Sequence, residues 1–169
     1  MSTSDGRRPR VLQVMEATIG GTKRHLTELS IGLHRAGYRI EVACPPVRAE
    51  AFGDTSFVSD VADAGIPVHP IPMRRAVSPG ADLLATLRLA RLMRRGHYDI
   101  VHCHSSKAGV IGRVAARLAG APRVCYTPHG FSYLIPGASS RRWLYLTIER
   151  VLGRFTDRLI AVSPSEGTE

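Results

Sequence analysis

The stretch Val11-Leu12-Gln13-Val14-Met15-Glu16-Ala17-Thr18-Ile19-Gly20-Gly21-Thr22-Lys23-Arg24-His25 decides the fold. Apolar residues between Val11 and Met15 suit a buried strand, Gly20-Gly21 permit positive φ and close backbone approach, and Thr22 is a good helix N-cap. Strand, glycine turn and helix start, in that order, gather free backbone N–H groups and the positive end of a helix dipole at one point. Such a point suits a phosphate.

The same plan repeats outward. A helix from Thr22 to about Ala36 turns Leu26, Leu29 and Leu33 inward and stops at Gly37. Tyr38 to Cys44 is a second strand, ended by Pro45-Pro46; the stretch on to Thr55 has no periodicity and reads as a surface loop. Phe57 to Ala64 suits a short helix. Ile66-Pro67-Val68-His69-Pro70-Ile71 alternates like a strand, but its prolines remove ladder donors and assign it to an edge. Ser78-Pro79 opens a helix through Leu83, Leu84, Leu87, Leu92 and Met93 to near Gly96, with Arg88, Arg91 and Arg95 on an outer stripe.

Tyr98 to Cys103 is nearly continuous in apolar character, as parallel strands buried on both faces are. Ser105 or Ser106 caps the next helix, which turns Val110, Ile111, Val114, Ala115 and Leu118 inward and stops at Gly120-Ala121-Pro122. Arg123 to Thr127 is a fifth strand. A loop from Pro128 to Ala138, a helix from about Ser140 to Phe155 and a strand from Arg158 to Val162 complete the pattern. Strict strand and helix alternation implies an open, mostly parallel, Rossmann-like α/β sheet with helices on both faces. Residues 1–9 are expected to be a flexible basic tail and 10–169 one domain. Ser163-Pro164-Ser165-Glu166 is a capping box announcing a further helix, so a longer polypeptide is expected.

Composition sets outer bounds. With 44% hydrophobic and 22% charged residues, the 169-residue chain is an ordinary globular sequence. It has no apolar run of membrane-spanning length and no apolar signal segment, so the cytoplasm is the expected location. The net charge of +9 calls for an acidic partner or an arginine-rich solvated surface. Cys44, Cys103 and Cys125 form no C-x-x-C pair and read as small buried hydrophobes. His102 and His104 share one side of a strand, but with no third ligand evident no metal site is expected.

In an open parallel sheet a ligand sits beyond the carboxyl ends of the strands. Thr18-Ile19-Gly20-Gly21, His104-Ser105-Ser106-Lys107 and Thr127-Pro128-His129-Gly130-Phe131 converge there. His129, followed by Gly130, is the foremost candidate for contact with a ligand, its alternative being a loop histidine that caps backbone groups. His104 is a second candidate. His25 lies near the glycine turn, and Lys107 stands where it could meet an anion; a solvated role is open to both. The glycine turn lacks the third glycine of G-x-G-x-x-G, no acidic residue closes the second strand, and G-x-x-x-x-G-K-[ST] is absent, which disfavours dinucleotide binding and nucleotide triphosphatase chemistry.

Taken in order, these segments resemble a known family. Gly20-Gly21 with His25 and Leu29, Leu33 to Gly37-Tyr38-x-Ile40-x-Val42, Asp99-Ile100-Val101-His102-Cys103-His104, Thr127-Pro128-His129-Gly130 and Ile160-Ala161-Val162-Ser163 look like the N-terminal domain of a family 4 glycosyltransferase of the GT-B class. The resemblance implies retaining transfer of a sugar from a nucleotide-diphosphate sugar to an acceptor, lipid-linked or phosphorylated, with no other cofactor. It implies that Gly20 and Gly21 approach the donor diphosphate, that His129 with Gly130 meets the donor sugar, and that His104, Ser105, Lys107 and Phe131 shape the acceptor side. The family's second domain, with its spaced glutamate pair, is not in this sequence, so the chain alone is expected to be inactive. Phe131 stands where many relatives carry a polar residue.

Two features leave a partner open. Arg141-Arg142-Trp143-Leu144-Tyr145 mixes cations and aromatics as membrane-surface helices do, or else begins an ordinary packing helix. A non-catalytic module binding an anionic polymer or membrane is the alternative to an enzyme, and no nucleic acid partner is expected.

Overall fold

The computed structural model describes residues 6–17, 20–46, 56–131 and 139–164. Thr18 and Ile19, the loop 47–55, residues 132–138 and the capping-box residues Ser165 and Glu166 lie outside the described residues. The elements run β1 (Arg10–Met15), α1 (Gly20–Arg35), β2 (Arg39–Cys44), α2 (Phe57–Asp63), β3 (Val68–Pro70) and α3 (Pro79–Gly96). They continue with β4 (Ile100–His104), α4 (Ser106–Ala119), β5 (Val124–Thr127), α5 (Ser139–Gly153) and β6 (Arg158–Leu159).

The strands form one parallel sheet in the order β3-β2-β1-β4-β5-β6. The chain winds outward from β1 to β3 and then crosses back to β4 on the other side of β1. The switch point of strand order therefore falls between β1 and β4, where a crevice opens at the carboxyl ends. β3 is an edge strand, as its prolines require.

Alternation along each strand sorts residues to two faces. Val11, Met15, Ile40, Val42 and Cys44 meet Leu26 of α1 and Phe57 and Val61 of α2. Leu12, Val14, Val101, Cys103 and Tyr126 meet Leu89 and Met93 of α3 and Ile111 and Ala115 of α4. Helix α4 comes unusually close to the sheet: a Cβ on Gly109 would stand 2.3 Å from the Tyr126 ring, and one on Gly112 would stand 2.5 Å from Cys103 Sγ.

The leucine pattern of α3 sits differently from expectation. Its buried stripe is Ala85, Leu89, Ala90, Met93 and Gly96, while Leu83, Leu84 and Leu87 are 61%, 48% and 52% exposed. Small residues let α3 approach its neighbours closely, so the leucines a hydropathy reading turns inward are left outside. Leu118, Leu144 and Val151 also face outward. Of the expected basic tail, residues 6–9 are held at the sheet: Arg7 makes two 2.9 Å bonds to the Asp99 carboxylate, and the Pro9 carbonyl accepts from Arg39 N–H.

Candidate active site

Three histidines from three elements meet at the switch point. His25 lies one turn into α1, His104 ends β4, and His129 follows β5; their ring centroids are 4.9 to 6.0 Å apart. Beneath them Gln13 reaches across from β1. Its Oε1 accepts from His104 Nε2 at 2.7 Å, so that nitrogen carries the hydrogen and His104 Nδ1 presents a lone pair. His129 Nε2 stands 3.2 Å from that Nδ1 and donates to it. The chain Gln13, His104, His129 thus fixes which ring nitrogen faces which neighbour. His102 pairs elsewhere, with Thr127 Oγ1 at 2.8 Å.

Burial decides the charge of the lower pair. It pushes the His102 imidazolium down to about 4 and drives His104 well below the usual histidine range, with the neighbouring histidines adding to both. Both rings are neutral at physiological pH. Gln13 Nε2 and Ser105 Oγ are buried without a hydrogen-bond partner among the described residues.

Backbone strain gathers at the same place. His129 adopts φ +53° and Gly130 φ +98°, and Ser105 sits at φ +64°, ψ 163°, a region almost reserved for glycine. A non-glycine residue held there costs about 1–3 kcal/mol, which the surrounding structure must over-determine. Gly20 also takes positive φ, +65°, at the start of α1. The N-termini of α1 and α4 both point their free N–H groups at this end of the sheet.

A cleft of about 1120 Å³ runs from His129, Gly130 and the Thr22 end of α1 along α4 to α3 and α5. Ser105, Ser106, Lys107 and Phe131 line it, as do Val77, Leu83, Val110, Val114, Tyr145 and Ile148, with Arg75 and Arg141 among them. Of the sequence candidates, His129, Gly130, Ser105, Lys107 and Phe131 therefore reach the cleft. His104 lies beneath His129, fully buried, and Gly20 and Gly21 stand outside the lining. Lys107 is paired with Asp82 of α3 and donates to the Ala76 carbonyl, bracing α3 on α4. Phe131 is a core residue whose edge reaches the cleft.

Four participants escaped sequence reasoning. Gln13 looks like a polar interruption of a strand, and only the register of β1 on β4 brings it to His104. Glu16 and Glu149 are carboxylates in the cleft wall. Arg113, 1% exposed, donates to Glu149 at 2.8 Å and lies over the Tyr126 ring at 3.9 Å. No sequence signal distinguishes it from a surface arginine.

A parallel sheet wound in this order, with a strained histidine turn and helix N-termini facing an open cleft at its carboxyl end, is the Rossmann-like architecture of one domain of a GT-B fold. Residues 20–169 match the model of the glycosyl transferase 4-like domain, and the chain belongs to that family. It is 37% identical over 106 residues, 62% of this chain, to the Escherichia coli UDP-Gal:α-D-GlcNAc-diphosphoundecaprenol α-1,3-galactosyltransferase. That match covers 27% of the relative. The fold is similar to a glycosyltransferase of Rickettsia africae (TM-score 0.69, 19% identity, 95% of this chain and 38% of that one). It is also similar to Acinetobacter baumannii MurG (TM-score 0.64, 19% identity, 92% and 42%).

Proposed function

We propose that this chain is the acceptor-side half of a retaining glycosyltransferase that moves a sugar from a nucleotide-diphosphate donor to a lipid-linked acceptor. The observation that carries the reading is the two-ended cleft: a histidine turn with helix N-termini at one end, and an apolar wall bearing Arg75 and Arg141 at the other. The first end suits a diphosphate sugar. Backbone N–H groups at the start of α1, exposed by the small Gly20 and Gly21, stabilise charge as the diphosphate departs, and His129 positions the donor sugar. The second end suits an acceptor whose head is anionic and whose tail is apolar. The diphosphoundecaprenol-linked substrate in the E. coli relative's name has that chemistry.

The bulk of the nucleotide is held by a second domain, so residues 1–169 alone are inactive. Arg88 and Arg91 stand beside exposed Leu84 and Leu87 on α3, and α5 opens with Arg141, Arg142 and Trp143. Apolar side chains rimmed by cations fit an anionic membrane surface, where a lipid-linked acceptor would lie; no helix of the described residues is long and apolar enough to cross the membrane. The enzyme would work at the cytoplasmic face.

His129→Ala in the intact protein tests the assignment. Turnover with a nucleotide sugar should fall by about 10²–10³-fold, the scale for removing one transition-state contact, with the protein still folded and its thermal transition lowered only by the lost contact to His104. Unaltered turnover removes His129 from the reaction.

A further inference from the structure

The pairing His102–His104 lacks a third metal ligand in sequence, but the fold supplies different partners. One ring nitrogen from each of His25, His104 and His129 lies within 4.8 Å of the other two. We infer that these three histidines form a binding site for a zinc-class divalent cation, with its fourth position open to the cleft.

The geometry is close to what such an ion needs. Nitrogens bound to tetrahedral zinc at about 2.0–2.1 Å lie roughly 3.3 Å from one another. His104 Nδ1 and His129 Nε2 are already 3.2 Å apart. His25 is the ligand that must close in, and its ring already stands edge-on to that of His129 at 4.9 Å. His104 Nδ1 has its lone pair turned to the cluster because Gln13 occupies Nε2, the outer-shell support typical of metal-bound histidine. For His129 to ligate through Nε2, its proton moves to Nδ1 of the same ring, so no net proton is released. Three neutral imidazoles select zinc, cobalt, nickel or copper over magnesium and calcium, which prefer oxygen. His129 is also the proposed contact for the donor sugar. Resting on that reading, the cation and the donor exclude one another, and zinc inhibits transfer.

Cobalt(II) titration of the intact protein, followed by visible absorption and then zinc displacement, tests the site independently of turnover. The expected result is stoichiometric uptake with the intense bands of four-coordinate cobalt. His25→Ala should weaken uptake by about tenfold or more, and Gln13→Leu by about 10–100-fold, whereas His34→Ala, far from the cluster on α1, leaves it unchanged. The pale spectrum of six-coordinate cobalt, or equal uptake by wild type and His25→Ala, overturns the site. Cobalt released by saturating nucleotide sugar supports both the site and its overlap with the donor. Cobalt retained in full under that condition upholds the site and removes the overlap.

Discussion

Gln13 shows how one buried polar atom organises its surroundings. Fully buried in β1, it accepts from His104 and thereby sets the lone pair that receives His129. Gln13→Leu should cost about 1–3 kcal/mol of stability, the penalty for orphaning a buried donor, measurable by urea unfolding. A second residue-scale prediction concerns Glu41. Burial raises its pKa, but hydrogen bonds from Tyr98, His69 and Arg10, with the Arg10 charge, outweigh burial and hold the carboxyl below its ordinary 4.5. A depressed carboxylate stabilises the fold above its unfolded pKa. Stability should therefore fall as pH drops below about 4.5, and Glu41→Gln should flatten that slope in acid unfolding curves. The place of His129 at the cleft was readable in sequence because a glycine follows a histidine at a strand end. Gln13 was not, since its role depends on the register of β1 on β4, which brings it to His104, 91 residues away.

At the scale of elements, glycine and proline punctuation carried most of the information. Gly37, Gly65 and Gly120 all take positive φ at helix ends, and Pro67 and Pro70 mark the edge strand correctly. Hydrophobic periodicity misled where helices meet through small residues. The Leu83, Leu84 and Leu87 group mimics a buried stripe, but the close-packed contacts of α3 and α4 are made at alanine and glycine. Gly109 is the sharpest case. Its Cβ would overlap the Tyr126 ring, so Gly109→Ala should lift α4 from the sheet and cost about 1–3 kcal/mol, seen as a lowered thermal transition. Gly153→Ala, with open space at its Cβ, should change little or gain slightly from helix propensity.

For the whole molecule, strand order fixes where chemistry can occur. Because β1 and β4 are neighbours across the switch point, segments nearly a hundred residues apart supply one cleft. Leu84 and Leu87 of α3 lie exposed on its outer surface. Replacing Leu84 and Leu87 together by Asp should reduce co-sedimentation of the intact protein with anionic vesicles while leaving its thermal transition in place, since neither side chain belongs to the core.

Sugar transfer through this cleft can be measured directly. Its most direct measurement is incubation of the intact protein with nucleotide-diphosphate sugars and a polyprenyl-diphosphate-linked sugar, the product read by mass spectrometry and its anomeric configuration by NMR. A new glycosidic bond on the lipid-linked acceptor with the donor's anomeric configuration retained, and no product from residues 1–169 alone, is the expected result. Inversion at the anomeric carbon, epimerised donor without transfer, or turnover by residues 1–169 alone would contradict it.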